Sequence, residues 1–180
     1  MKYNQVTIKD IARELGISPS TVSRALKDHP DISPETKRLV NELADKLNYQ
    51  PNIVALSLRQ SKTNTIGVVI PEIVHFFFST IISGIEDVAY SAGYNVILAQ
   101  SNESQSREIT DMKALFNSRV DGMLMSVSRE TTNFDHIESI ISKGVPIVFF
   151  DRVYNSPQAS KIIVDDFTGA KDATIHLIEQ

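Results

Sequence analysis

Ser18, Ser20, Thr21 and Ser23, a run of short hydroxyl side chains, lead to one guanidinium at Arg24. Residues of these types at this spacing are suited to hydrogen bonding with nucleic acid. Hydroxyls donate to and accept from phosphate oxygens and base edges, and an arginine fork takes guanine O6 and N7 together. The elements that must hold them can be read on either side. Thr7 N-caps a first helix with Asp10 as its box partner, and Ile8, Ile11, Ala12 and Leu15 form one apolar stripe. Gly16 stops that helix, because glycine takes the left-handed cap conformation cheaply, and Ser18-Pro19 opens the next. The second helix buries Val22, Ala25 and Leu26 and turns Ser20, Thr21, Ser23 and Arg24 outward. This is a helix-turn-helix pattern with Pro19 to Leu26 as recognition helix. One alternative stays open: the same hydroxyls could simply cap and solvate a helical hairpin.

A third helix completes the unit. Ser33-Pro34-Glu35 repeats the Ser-Pro start, and Leu39, Val40, Leu43, Ala44 and Leu47 recur at helical spacing, so residues 7–48 form a three-helix core. Tyr49-Gln50-Pro51-Asn52 ends it, since a residue before proline is driven out of helical geometry. Residues 52–60 then read as a short segment with an N-cap and good helix formers, too short to hold as a helix alone in water.

TIKDIARELGISPSTVSRAL, the Ser33-Pro34-Glu35-Thr36 start and LNYQPNIVALSLR together resemble the DNA-binding headpiece of the LacI/GalR repressors, without a break from Val6 to Arg59. The resemblance implies a transcriptional regulator that binds a near-palindromic duplex operator as a homodimer. By position, it implies that Ser20, Thr21 and Arg24 read bases, while Ser18, Ser23, Ser33, Thr36, Tyr49 and Asn52 touch or orient phosphates, with Thr7 in the same DNA-facing set. It also implies that residues 52–60 become a hinge helix on the operator, with Leu58 levering a base step beside Ala55 and Arg59. Pro19 departs from the family pattern, in which some relatives carry a base-contacting side chain there.

Charge is divided along the chain. Residues 1–62 hold ten Lys and Arg against seven Asp and Glu, net +3, whereas residues 63–180 hold eight against fifteen, net −7. A mildly basic head on an acidic body suits a protein that offers one end to phosphates. Ordinary surface charge is the plain alternative. There is no cysteine, hence no disulfide framework or thiolate metal site. The start, MKYNQVTIKD, has no apolar core of signal-peptide length and no run approaches the ~20 apolar residues of a membrane helix, so a cytoplasmic protein without membrane attachment is expected.

From Thr65 the rhythm becomes strand and helix in alternation. Residues 66–70, 96–99, 123–125, 147–150 and 162–164 are short apolar runs of the kind expected for parallel strands buried on both faces. Helical patterns lie between them, over residues 78–91, 107–117 and 134–143. The expected fold is thus an all-α helix-turn-helix headpiece followed by an α/β doubly wound parallel sheet. Domain bounds follow as 5–50 for the headpiece, 51–62 for hinge and linker, and 63–180 for the body. Ligands of such sheets sit beyond the carboxyl ends of the strands, which here carry Pro71 to Phe77, Ser126 and Ser128, Asp151 and Arg152, and Asp165 and Asp166.

Ile66-Gly67-Val68-Val69-Ile70-Pro71, Val120-Asp121-Gly122 and residues 145–152, VPIVFFDR, resemble the first lobe of the same family's effector-binding core, which looks like a periplasmic sugar-binding protein. The resemblance implies a small-molecule effector, a sugar or sugar derivative, with Asp151 accepting from sugar hydroxyls, Phe76 or Phe77 stacking on a ring, and Ser126 and Arg152 alongside. Core packing for the phenylalanines, and helix capping for a strand-end carboxylate such as Asp166, are the competing readings. Family members continue through a second lobe, so the resemblance implies that the chain is a fragment or truncated product ending at Gln180, with a naturally short regulator as the alternative. An enzyme is not expected: the four histidines are scattered, HExxH, GxGxxG and GxxxxGK[ST] are absent, and no cofactor or metal set is apparent. The other class considered is an intracellular sugar-binding protein without DNA binding, which leaves residues 1–62 without a purpose.

Overall fold

The structure is a computed structural model and describes residues 6–51, 62–74 and 76–180. The chain forms two compact units that divide after Gln60.

In the first unit, α1 (Ile8–Leu15), α2 (Pro19–Ala25) and α3 (Pro34–Lys46) surround Ile11, Ala12, Val22, Ala25, Val40, Leu43 and Ala44, all buried. The ends of these helices follow their local chemistry. The backbone N–H of Thr7 donates to the Asp10 carboxylate at 3.0 Å and its hydroxyl donates to the same oxygen at 2.7 Å. Gly16 sits at φ 64°, where a side chain would be strained, and Ile17 N–H closes back on the Ala12 carbonyl. Ser18 Oγ accepts from Thr21 N–H and Ser33 Oγ from Thr36 N–H, with proline in the first turn of each helix.

The second unit is a five-stranded parallel sheet in the order β2-β1-β3-β4-β5. Its strands are β1 (Thr65–Ile70), β2 (Asn95–Gln100), β3 (Gly122–Met125), β4 (Ile147–Phe150) and β5 (Ser160–Ile162). Helix α4 (Phe76–Ser91) joins β1 to β2, α5 (Gln105–Asn117) joins β2 to β3, and α6 (Asp135–Ile141) joins β3 to β4. Successive residues of a strand face opposite sides, and the core divides accordingly. Val68 and Ile70 pack with Phe78, Phe150 and partly buried residues of α4, whereas Val69, Met125 and Phe149 pack with Met112 and Leu115 of α5 and Ile137 and Ile140 of α6. The sheet is therefore wound on both faces. The chain moves to one side of β1 for β2 and to the other for β3, so strand order reverses between β1 and β3, where such sheets open their ligand crevice.

Three expectations require correction. β2 is an edge strand with Ile97 and Leu98 exposed, because apolar composition alone does not secure a neighbour on both sides. The last strand lies two residues earlier than the apolar run suggested: pairing of Phe149 with Lys161 sets its register, and Ile163 and Val164 run past its end into solvent. The carboxylate that caps α7 (Asp166–Ile178) is Asp165, whose oxygens accept from the N–H and hydroxyl of Thr168 at 3.0 and 2.8 Å, and not Asp166, the helix's first residue. No residue of α7 is buried.

Candidate nucleic-acid interface and effector crevice

On the headpiece, the outer face of α2 carries the residues singled out from the sequence. Ser20 and Arg24 are exposed and Thr21 and Ser23 half-buried, while Val22 and Ala25 point into the core. Ser18 Oγ lies 2.7 Å from Ser20 Oγ and 2.8 Å from Thr21 Oγ1, so capping and display are performed by one hydroxyl cluster. Ser33 and Thr36 repeat this arrangement at the start of α3, with their hydroxyl oxygens 2.9 Å apart. The guanidinium of Arg24 keeps 58% of its side chain exposed and meets Asp31 only at 4.0 Å, which leaves its fork open. Tyr49 packs against the headpiece core, and burial raises its hydroxyl above the ordinary tyrosine range. Asn52, Ala55, Leu58 and Arg59 lie outside the described residues.

On the body, the carboxyl ends of the strands bring together several further groups. Asp151 follows β4 at φ 59°, a left-handed conformation that is costly for a non-glycine residue and recurs at functional sites. Its Oδ2 accepts from the Ser126 hydroxyl at 3.0 Å. Ser126 itself is fully buried, so it orients Asp151 and has no surface to offer a ligand in this conformation. Phe76 and Phe77, 85% and 52% exposed, open α4 just beyond β1, while Phe78 turns inward and meets Phe150 edge-to-face. The three phenylalanines thus divide two out and one in, so core packing, the competing reading, holds for Phe78 and not for Phe76 or Phe77. Arg152 is committed to Glu103, its Nη1 donating to both carboxylate oxygens at 2.7 Å.

Beneath this edge is a buried polar network that motif reading did not find. Glu108, with no exposed surface, accepts from Ser128 N–H at 2.7 Å and from the Thr131 hydroxyl at 2.9 Å, and pairs with His136 Nε2 at 2.9 Å. Burial pushes its carboxyl up, but the hydrogen bonds from His136, Ser128 and Thr131 together outweigh that and hold it below the ordinary glutamate range. Ser128 Oγ in turn lies 2.6 Å from Ser101 Oγ, which joins the ends of β2 and β3. A signal for Glu108 existed in the sequence: it stands four residues before Met112 and seven before Leu115, on the stripe those two bury. No group of three or more potential metal ligands occurs among the described residues.

These two units correspond to two family models. Residues 7–52 match the bacterial regulatory proteins of the lacI family, and residues 63–180 match the periplasmic binding proteins and sugar binding domain of the LacI family. The chain belongs to the LacI family. It is 35% identical over 174 residues to catabolite control protein A of Priestia megaterium, covering 97% of this chain and 52% of that protein. Catabolite control protein A of Staphylococcus xylosus is 36% identical over 176 residues, with 97% and 53% covered. Among solved structures, the lac repressor dimer bound to operator and the anti-inducer ONPF superposes with a TM-score of 0.81 at 25% identity, over 98% of this chain and 53% of that one. The chain spans about half the length of the curated relatives it matches. The relatives named here are regulators, and the first-lobe fold expected for residues 63–180 is the fold of the LacI family's sugar-binding domain. No helix among the described residues is long and apolar enough to cross a membrane.

Proposed function

We propose that this chain is the DNA-reading head and first effector lobe of a repressor-type transcriptional regulator, binding a near-palindromic duplex operator as a homodimer. The observation that carries this reading is the outer face of α2, where Ser20, Thr21 and Arg24 stand outward from a packed three-helix core. Ser20, Thr21 and Arg24 read base edges; Thr7, Ser18, Ser23, Ser33, Thr36, Tyr49 and Asn52 contact or orient phosphates. Ala55, Leu58 and Arg59 belong to the hinge that enters the minor groove. The working bounds are 5–50 for the head, 51–62 for the hinge and 63–180 for the lobe. That the lac repressor was crystallised as a dimer on operator supports the assignment by family likeness.

The lobe contributes one wall of a sugar site at the carboxyl ends of β1, β3 and β4. Asp151 accepts from ligand hydroxyls, Phe76 or Phe77 covers an apolar ring face, and Ser126 and Arg152 hold Asp151 and its surroundings. The protein acts in the cytoplasm, without catalysis and without a cofactor. A fluorescence-anisotropy titration of the 180-residue chain against a selected duplex library tests the DNA reading. The expected result is sequence-selective binding that weakens steadily as salt rises. Affinity that is equal for all duplexes, or indifferent to salt, overturns it.

A further inference from the structure

Glu103 stands where three loops meet. It follows β2 with φ 59°, directly after Asn102 at φ 51°, so two successive non-glycine residues hold left-handed backbone at the mouth of the crevice. Such a conformation persists only where the surroundings enforce it, and the enforcement is visible. Besides the Arg152 guanidinium, the Glu103 carboxylate accepts from Arg129 N–H at 2.7 Å. Arg152 is held from its other end too, its carbonyl accepting from Val127 N–H at 3.0 Å. One carboxylate thereby ties together the ends of β2, β3 and β4.

The consequence for a ligand is electrostatic. The guanidinium adjoining the Asp151 carboxylate is the group a phosphate ester would need, since a planar fork is the usual partner of phosphate oxygens. Both Glu103 oxygens accept from its Nη1 and offset its charge, and Arg152 Nε lies 4.0 Å from Asp151 Oδ2, a second carboxylate beside it. The first turn of α5, a second seat for an anion, already contains the buried Glu108. We infer that Glu103 is a specificity-determining residue: by holding Arg152 it denies the guanidinium to anions, so the crevice takes an uncharged, hydroxyl-rich ligand and refuses its phosphate ester. This rests on the proposed reading of that edge as the effector crevice. Glu103 acts through Arg152 and is a positioning residue.

The test is an amide-shift titration of the 15N-labelled chain with glucose and glucose 6-phosphate, followed at residues 126–129 and 151–152. In the native chain glucose is expected to move these resonances at concentrations where glucose 6-phosphate does not. Glu103→Gln releases Arg152, and the phosphate ester should then bind about tenfold tighter than to the native chain, the equivalent of ~1.4 kcal/mol. A merely structural role would alter both sugars alike. Glucose 6-phosphate binding the native chain as well as glucose does, or an unchanged preference in a folded Glu103→Gln chain, overturns the inference alone. No response to either sugar in either chain removes the crevice reading and the inference with it. Should Glu103→Gln fail to fold, the preference of the native chain between the two sugars still decides.

Discussion

The Asp121 carboxylate, at the entrance to β3, accepts from the backbone N–H of Thr63 at 2.8 Å, immediately after the segment that leaves the headpiece. It also takes the Thr63 hydroxyl at 3.0 Å and Asn64 N–H at 2.9 Å, while that hydroxyl reaches the Arg119 carbonyl at 2.8 Å. Burial raises the Asp121 carboxyl, yet these bonds and the nearby Lys62 hold it below the ordinary aspartate range. The start of the lobe is thus latched to β3 before β1 begins.

Removing that latch should loosen the entry without dissolving the sheet. Asp121→Ala is expected to cost about 1–3 kcal/mol in urea unfolding of the lobe, the scale of hydrogen bonds to a charged group. Amide exchange at Thr63 and Asn64 should accelerate together. Unchanged exchange at both would show the contacts to be incidental.

Glu108 should be the most costly carboxylate to lose. Glu108→Ala leaves Ser128 N–H, the Thr131 hydroxyl and His136 without their acceptor in a buried site, a loss of about 3–5 kcal/mol. Because its folded carboxyl titrates below the ordinary value, its contribution is complete above that value and is lost as pH falls through the lower, folded one. Native lobe should therefore lose stability on acidification across that interval. A chain carrying Glu108→Gln should show a shallower decline there, and parallel pH profiles would refute the assignment.

Gly67 lies in β1 against α5, and a methyl group there would meet Leu115 Cδ1 at 2.9 Å. Leu115 is itself buried and has little room to withdraw. Gly67→Ala should destabilise the lobe by about 1–3 kcal/mol, measured by thermal unfolding. A chain unfolding at the native temperature would mean that α5 shifts freely.

Arg24→Ala should cost about 1–3 kcal/mol on the preferred operator and much less on random duplex. Asp31→Asn should do the reverse in small measure, tightening binding on both DNAs, since it removes a negative charge 4.0 Å from the Arg24 guanidinium. Competition titrations at fixed salt separate the two effects. Equal loss on both DNAs for Arg24→Ala would make it a phosphate contact.

Local chemistry was sufficient for the headpiece. Thr7, Gly16, Ser18-Pro19 and Ser33-Pro34 act within four residues of themselves, and each performs in the structure the capping or turning expected of it. The alternation of strands and helices was legible for the same reason, because the period of apolar residues is a property of each segment. Lateral neighbours and register are not. Whether an apolar run becomes a central strand or an edge depends on partners tens of residues away, so β2 and β5 could not be placed from their own composition. The polar crevice was decided last and least locally. Arg152 finds Glu103 across 49 positions, Ser128 finds Glu108 across 20, and Thr63 finds Asp121 across 58. The sequence by itself determined which side chains could share the outer face of α2 and which segments could form a sheet. Only the tertiary structure decided which charges meet, because a carboxylate's partner is selected by the crossovers that bring distant loop ends to the same edge.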